Sequence, residues 1–202
     1  MSQDLVFKAR PWTFDTMAID EVLSGVYTEK FGILPTDQVA DVGAMIGVFA
    51  VLAARQAYAG HVWAFEPHPD NFELLKENIR LNNLSNVTAV KAAVLDAPGI
   101  TTMPVNLGIH TGAGMVGTGK MQVPAVTLDD SMSKLDFLKV DAEGSELKVL
   151  QGAARLLQGN VRIAMEVHPG MLGSVTDLLQ SLGYTVESKP YMLVNHLLWA
   201  HR

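Results

Sequence analysis

Four short stretches of the sequence combine acids, histidine and glycine in ways that can do chemistry: Asp41-to-Gly47, Glu66, Asp141-to-Glu143 and Glu166-to-His168. In the first, Gly43 and Gly47 flank Ala44, Met45 and Ile46. Small residues there let a backbone approach a ligand and let a helix start close to a sheet. A carboxylate at a strand end, as Glu66 would be, can accept hydrogen bonds from both hydroxyls of a ribose. Asp141, Glu143, Glu166 and His168 supply three acids and one histidine. Such a set serves in one of three ways. A carboxylate or the imidazole takes a proton from an attacking hydroxyl. Alternatively, the set holds a divalent metal that lowers the acceptor's pKa. In the structural reading the acids cap turns or pair with Arg162 or a lysine, and His168 is a loop residue ahead of the Pro169-Gly170 turn. Carboxylates near His168 would raise its pKa, which argues against the imidazole as base at neutral pH.

The same residues also exclude. The dinucleotide fingerprint G-x-G-x-x-G is absent, because Ala44 and Met45 stand where its second glycine would help. That disfavours a nicotinamide-dependent oxidoreductase. The glycine turn alone is equally a tight strand-to-helix connection; joined to Glu66 it favours a nucleoside. The Gly108–Gly119 stretch lacks the lysine-serine end of a phosphate loop, since Met121 follows Lys120, so no nucleotide hydrolysis is expected. His61, His110, His196 and His201 show no metal-ligand spacing, and the methionines read as core filling.

The elements that must position these residues follow from periodicity. A helix is expected from Phe14 to Phe31, ended by Gly32 and Pro35, with Trp12 and Phe14 packing it onto the domain or the helix covering an acceptor pocket. Strands are expected at Val39–Val42, His61–Glu66, Val87–Val90, Leu135–Val140, Arg162–Val167, Thr185–Glu187 and Leu193–Trp199. Helices fall between them: one after Gly47 running to Tyr58, one capped by Asp70 or Asn71 with Phe72, Leu75 and Ile79 on one face, and two more at Glu146–Leu157 and Met171–Leu182. In the helix from Glu146, Leu147, Leu150, Ala154 and Leu157 are expected inward. Pro98 to Pro124 reads as a long loop, with or without a hairpin, that is either a lid over the acceptor or a flexible surface loop. Alternating strands and helices imply a mostly parallel sheet covered on both faces. The last two strands leave no room for a helix and must pair as an antiparallel hairpin. The expected division is a helical extension over 1–36 and one globular unit over 37–202.

Composition narrows the partners. The chain has 202 residues, of which 49% are hydrophobic and 18% charged, enough for one large domain with its own core. It has no cysteine, so no disulfide framework, thiolate metal site or cysteine nucleophile is available. The net charge is -6, and no cationic run could neutralise several adjacent phosphates, which disfavours nucleic acid. No apolar stretch approaches the roughly 20 residues of a membrane span. The N-terminus lacks the apolar core of a signal peptide, so a cytoplasmic protein with a small-molecule partner is expected.

Taken in order, Asp41-Val-Gly-Ala-Met-Ile-Gly47, Ala64-Phe-Glu-Pro-His-Pro69, Asn71-Phe-Glu-Leu-Leu-Lys-Glu-Asn78, Ala92-Ala-Val94, Val126-Thr-Leu-Asp129, Leu138-Lys-Val-Asp-Ala-Glu-Gly-Ser-Glu146 and Met165-Glu-Val-His168 closely resemble the FkbM family of S-adenosylmethionine-dependent methyltransferases. The match runs from about Val39 to His168. The resemblance implies a Rossmann-like class I methyltransferase fold, strand order 3-2-1-4-5-7-6 with strand 7 antiparallel. It implies S-adenosylmethionine as cofactor, with Asp41, Gly43 and Gly47 around its methionine part. Glu66 would hold the ribose, the Ala92-Ala93 region would border the adenine, and Ala44, Met45, Pro67 and Asp141 would complete the cofactor site. The chemical end would be Asp141, Glu143, Glu166 and His168. Met45 departs from the family, which usually has asparagine there. The implied reaction is methyl transfer to a small acceptor, a sugar or secondary-metabolite hydroxyl first, a nitrogen next. A non-catalytic nucleoside-binding module on the same fold is the rival outside the enzymes.

Overall fold

Val39, Ala40, Asp41 and Val42 are almost fully buried in β1 (Gln38–Val42), as a central parallel strand covered on both faces must be. The computed structural model describes residues 5–105, 116–117 and 119–202. β1 pairs in parallel with β2 (His61–Phe65) on one side and β7 (Phe137–Val140) on the other. Beyond β2 lies β3 (Val87–Val90), parallel; beyond β7 lies β8 (Arg162–Val167), also parallel. β10 (Asn195–His201) runs antiparallel to both β8 and the edge strand β9 (Thr185–Tyr191). The order across the seven strands is β3-β2-β1-β7-β8-β10-β9.

Successive residues of a strand face opposite sides, and β7 shows the consequence. Phe137 joins Val39, Phe49, Val62 and Trp199 in a core under α2 (Val48–Gln56). Leu138 and Val140 join Val149, Leu150, Met165 and Leu179 in a second core under α5 (Glu146–Gln151) and α6 (Leu172–Ser181). Lys139 shares the Phe137 side, a lysine inside a buried strand.

Several expectations are corrected. α1 ends at Leu23 instead of Phe31 (Asp15–Leu23), because Gly25 takes a left-handed φ of 88° and turns the chain early. Trp12 does not pack the helix down; it is 93% exposed at φ 62°. α3 (Pro69–Leu81) is capped by His68, whose ring accepts from the Asp70 N–H, while Asn71 sits inside the helix and turns to the site. The helix from Glu146 stops at Gln151 and resumes as a 3-10 turn over Leu156–Gln158. Gly152 lies there against the Leu95 carbonyl, so Ala153 faces inward and Ala154 outward. The long middle segment is more ordered than a loop. β4 (Ala93–Val94), β5 (Gly99–Met103) and β6 (Met121–Val126) form a small second sheet, followed by the short α4 (Leu128–Ser131). The proposed lid, with Gly108, His110, Gly112 and Gly114, falls mainly on 106–115 and 118, outside the described residues.

The residues before α1 are strapped to α3 by asparagines on one helix face. Asn82 exchanges hydrogen bonds with Val6 (3.0 and 2.7 Å), and Asn78 with Lys8 (2.7 and 3.2 Å). Arg10 joins Asp15 in a two-pronged ion pair and reaches Asn71 Oδ1 at 2.8 Å. This strap sets α1 over the carboxyl end of β1. Among the described residues, no helix is long and apolar enough to cross a membrane.

Candidate active site

The carboxyl ends of β1, β2 and β7 open on a cavity of about 600 Å³. Gly43 begins its floor. At φ 74° it is left-handed, and a Cβ there would stand 1.8 Å from the Asp141 carbonyl oxygen, so only glycine fits. Met45 also takes a left-handed φ, 52°, a region that asparagine enters more readily than methionine. Its N–H donates to Glu66 Oε2 at 2.8 Å.

Glu66 follows β2 and lines the cavity with Oε1 accepting from the His68 N–H at 2.8 Å and, more weakly, from Asn71 Nδ2 at 3.4 Å. Burial pushes its pKa up to about 7, against the pull of those donors. Pro67, Ala92 and Ala93 continue the wall, with Met103 of β5 and Val116 covering the far end. Asp141, Ala142 and Glu143 close the near end.

Asp141 continues β7 and its pKa is raised by burial, Lys139 opposing. Glu143 sits at φ 48° in the turn before α5 and places Oε2 3.1 Å from His168 Nε2. The other nitrogen, Nδ1, lies 2.7 Å from Oε1 of Glu146, a carboxylate with no exposed surface. Burial alone would lower the imidazole's pKa, but the hydrogen bonds and charges of the two glutamates outweigh it and lift it to about 10. His168 is therefore an imidazolium at neutral pH. Glu166, at the end of β8, is pushed up to about 7 by burial and by the charge of Asp141. The Asn195 side chain, at the start of β10, donates to it. Arg162, expected as an alternative partner for these acids, pairs instead with Asp37 at 2.6 Å.

The sequence-derived residues divide by place. Gly43, Met45, Glu66, Pro67, Ala92, Ala93, Asp141 and Glu143 line the cavity. Asp41 does not: it is buried against Lys139 Nζ at 3.1 Å. Gly47 packs against Leu75, and Ala44 faces a second cavity behind the turn. His168 and Glu166 stand beside the main cavity, behind Glu143 and Asp141. Donor atoms of Asp141, Glu143 and His168 come within 4.8 Å of one another, a spacing open to a metal ion, but both histidine nitrogens already meet carboxylates.

Lys139, Asn71, Glu146 and Asn195 were not among the expected site residues. Asn71, Lys139 and Glu146 stand inside the family-like blocks, and Lys139 is also a charge inside a strand otherwise fit for burial; Asn195 carried no signal. Lys139 Nζ donates to the Gly43 carbonyl at 2.8 Å and so ties β7 to the glycine turn. Burial works against its charge, yet Asp41 and Asp141 more than offset this and raise its pKa.

Residues 41–186 match the model of the methyltransferase FkbM domain. The chain belongs to the FkbM methyltransferase family. This FkbM chain is 30% identical over 173 residues to the hexuronic acid methyltransferase AglP of Haloferax volcanii, covering 75% of its own length and 64% of that relative's. It is 29% identical to the 31-O-demethyl-FK506 methyltransferase FkbM of Streptomyces tacrolimicus, covering 75% and 74%. In fold it is similar to the methyltransferase FkbM of Methylobacillus flagellatus KT, with a TM-score of 0.71 at 18% identity, over 96% of this chain and 56% of that one. The precorrin-6y C5,15-methyltransferase of Geobacter metallireducens GS-15 shares the fold at a TM-score of 0.63 and 15% identity, over 100% and 97%.

Proposed function

We propose that this FkbM-family chain is an S-adenosylmethionine-dependent O-methyltransferase acting on a hydroxyl of a small molecule. The observation that carries the reading is Glu66: a buried carboxylate fixed by the Met45 and His68 N–H groups at the wall of a cavity that runs from Ala92-Ala93 to Asp141. The residues fit the cofactor. Apolar, close-set Ala92 and Ala93 suit a flat base, Glu66 suits vicinal hydroxyls, and the glycine at 43 leaves the backbone bare where the chain of the ligand passes. The strand order β3-β2-β1-β7-β8-β10-β9 supports the class I methyltransferase reading.

When bound, the sulfonium supplies an electrophilic methyl group for in-line displacement. The chain's own contribution is position and proton removal. Held rigidly, the acceptor oxygen gains most of its advantage from orientation. The hydroxyl proton goes to the acid pair at the tips of β7 and β8, Asp141 at the cavity wall or Glu166 behind it, both raised by burial. Glu143, His168 and Glu146 form a charged clamp that fixes the turn between β7 and α5. His168 arrives already protonated and does not serve as base. Hydroxylated acids and sugars are the acceptors to try first, because two of the relatives are named for a hexuronic acid and for the 31-O position of FK506.

Calorimetric titration with S-adenosylmethionine and with NAD, on the wild type and Glu66→Ala, tests the reading. Micromolar binding of the sulfonium cofactor, lost in the variant, supports it. Binding of NAD in its place refutes it. Turnover with a hexuronic acid panel then tests the oxygen acceptor.

A further inference from the structure

A second cavity of about 360 Å³ lies behind the glycine turn, between α1 and the start of α2. It shares Gly43, Met45 and Asp141 with the nucleoside cavity, so the two adjoin across the turn. Its remaining polar lining is Glu21 of α1, Tyr27 and Lys139.

The charges here do not balance. Lys139 is already committed to Asp41 and to the Gly43 carbonyl. Glu21 and Asp141 are left facing the same space. Glu21 Oε1 is closed off from solvent and meets no hydrogen-bond partner among the described residues. Burial and the charge of Asp141 both raise its pKa. Two partly buried carboxylates facing one cavity without a spare cation repel each other, and a cationic occupant relieves that repulsion.

We propose that Glu21 and Asp141 together form the receptor for the α-ammonium group of the cofactor's amino-acid tail, with α1 closing that end of the site. This rests on the S-adenosylmethionine reading above. The tail of a ligand whose ribose sits on Glu66 passes Gly43 and reaches Asp141, which also lines the second cavity together with Glu21. The N-terminal segment thereby becomes part of the cofactor site, held in place through Arg10, Asp15 and the asparagines of α3.

The test titrates S-adenosylmethionine, S-adenosylhomocysteine and 5′-methylthioadenosine into wild type and Glu21→Gln. The last ligand has the nucleoside but no amino-acid tail. Glu21→Gln is expected to weaken both tailed ligands about 10- to 100-fold, the worth of a charged hydrogen bond in a partly buried site, and to leave 5′-methylthioadenosine unchanged. An unchanged 5′-methylthioadenosine affinity also certifies that the variant is folded. Equal weakening of all three ligands overturns the proposal, since Glu21 is then structural. So does unchanged affinity for the tailed pair, or a loss confined to S-adenosylmethionine, which would assign Glu21 to the sulfonium. If the wild type binds none of the three, the nucleoside reading itself has failed, and this proposal with it.

Discussion

Glu146 Oε1 lies 2.7 Å from His168 Nδ1, and with Glu143 on the other nitrogen it makes His168 a fixed positive group. The histidine's folded pKa of about 10 lies above its unfolded value near 6.5. Its contribution to stability is therefore complete below about pH 6.5 and is lost as pH rises through about 10. His168→Gln should cost about 3 kcal/mol near pH 6.5, since it leaves Glu146 buried without its cation. Denaturant unfolding from pH 6.5 to 10 should show the gap to wild type closing. A gap that stays constant would mean the clamp is not an ion pair.

Glu66 titrates in the opposite sense to an ordinary paired acid. Its folded pKa of about 7 exceeds the usual carboxylate value, so the empty site holds a proton until near neutrality. Hydroxyl donors of a ribose favour the ionised form, and binding must then release that proton. Affinity for 5′-methylthioadenosine should fall about tenfold per pH unit below 7 and level off above it. Calorimetry in buffers of different ionisation heat checks the proton count. A flat profile between pH 5.5 and 8.5 would sink the ribose assignment.

Gly43→Ala forces a Cβ to within 1.8 Å of the Asp141 carbonyl oxygen, a backbone atom with nowhere to go. The expected loss is about 3 kcal/mol of stability, together with cofactor binding. Gly173→Ala is the matched control. It meets nothing within 4 Å in α6 and should gain about 0.5–1 kcal/mol, as alanine does in a helix. Thermal unfolding of both variants decides the point.

Asn78 has no exposed surface and serves Lys8 and the Ile46 carbonyl at once. Asn78→Ala should destabilise by about 1–3 kcal/mol. It should also release the first residues from α3, read out as earlier tryptic cleavage after Lys8 while the sheet stays intact. Unchanged cleavage kinetics would show that the strap is held by other contacts.

Asn195→Ala removes a donor that favours ionised Glu166. The carboxyl should then titrate above its present value of about 7, visible by carbon-detected NMR of labelled glutamates. If Glu166 is the base, the acidic limb of the rate profile should move upward with it. A lowered pKa would mean that Asn195 does not stabilise the charge.

Much of the frame was legible because buried strands and amphipathic helices declare themselves by period. β8 at Arg162–Val167 and β3 at Val87–Val90 fall where the apolar runs place them. The motif acids and glycines were equally visible, since few strand ends carry such residues. Less visible were features set by backbone conformation. Gly25 ends α1 early, and Gly152 splits the helix after Glu146, each through a local contact or dihedral that spacing does not reveal.

Residue type and order alone therefore determined the alternation of strands and helices, the family likeness and the membership of the acid-and-glycine set. They act locally, and a periodic pattern needs no knowledge of its neighbours. Only the tertiary structure decided who pairs with whom. It turned Asp41 away from the cavity onto Lys139, placed His168 between two glutamates, and brought Glu21 to the cavity wall beside Asp141, 120 residues further along the chain. Charge, burial and pKa belong to such meetings through space, because each depends on what surrounds a side chain after the chain has closed on itself.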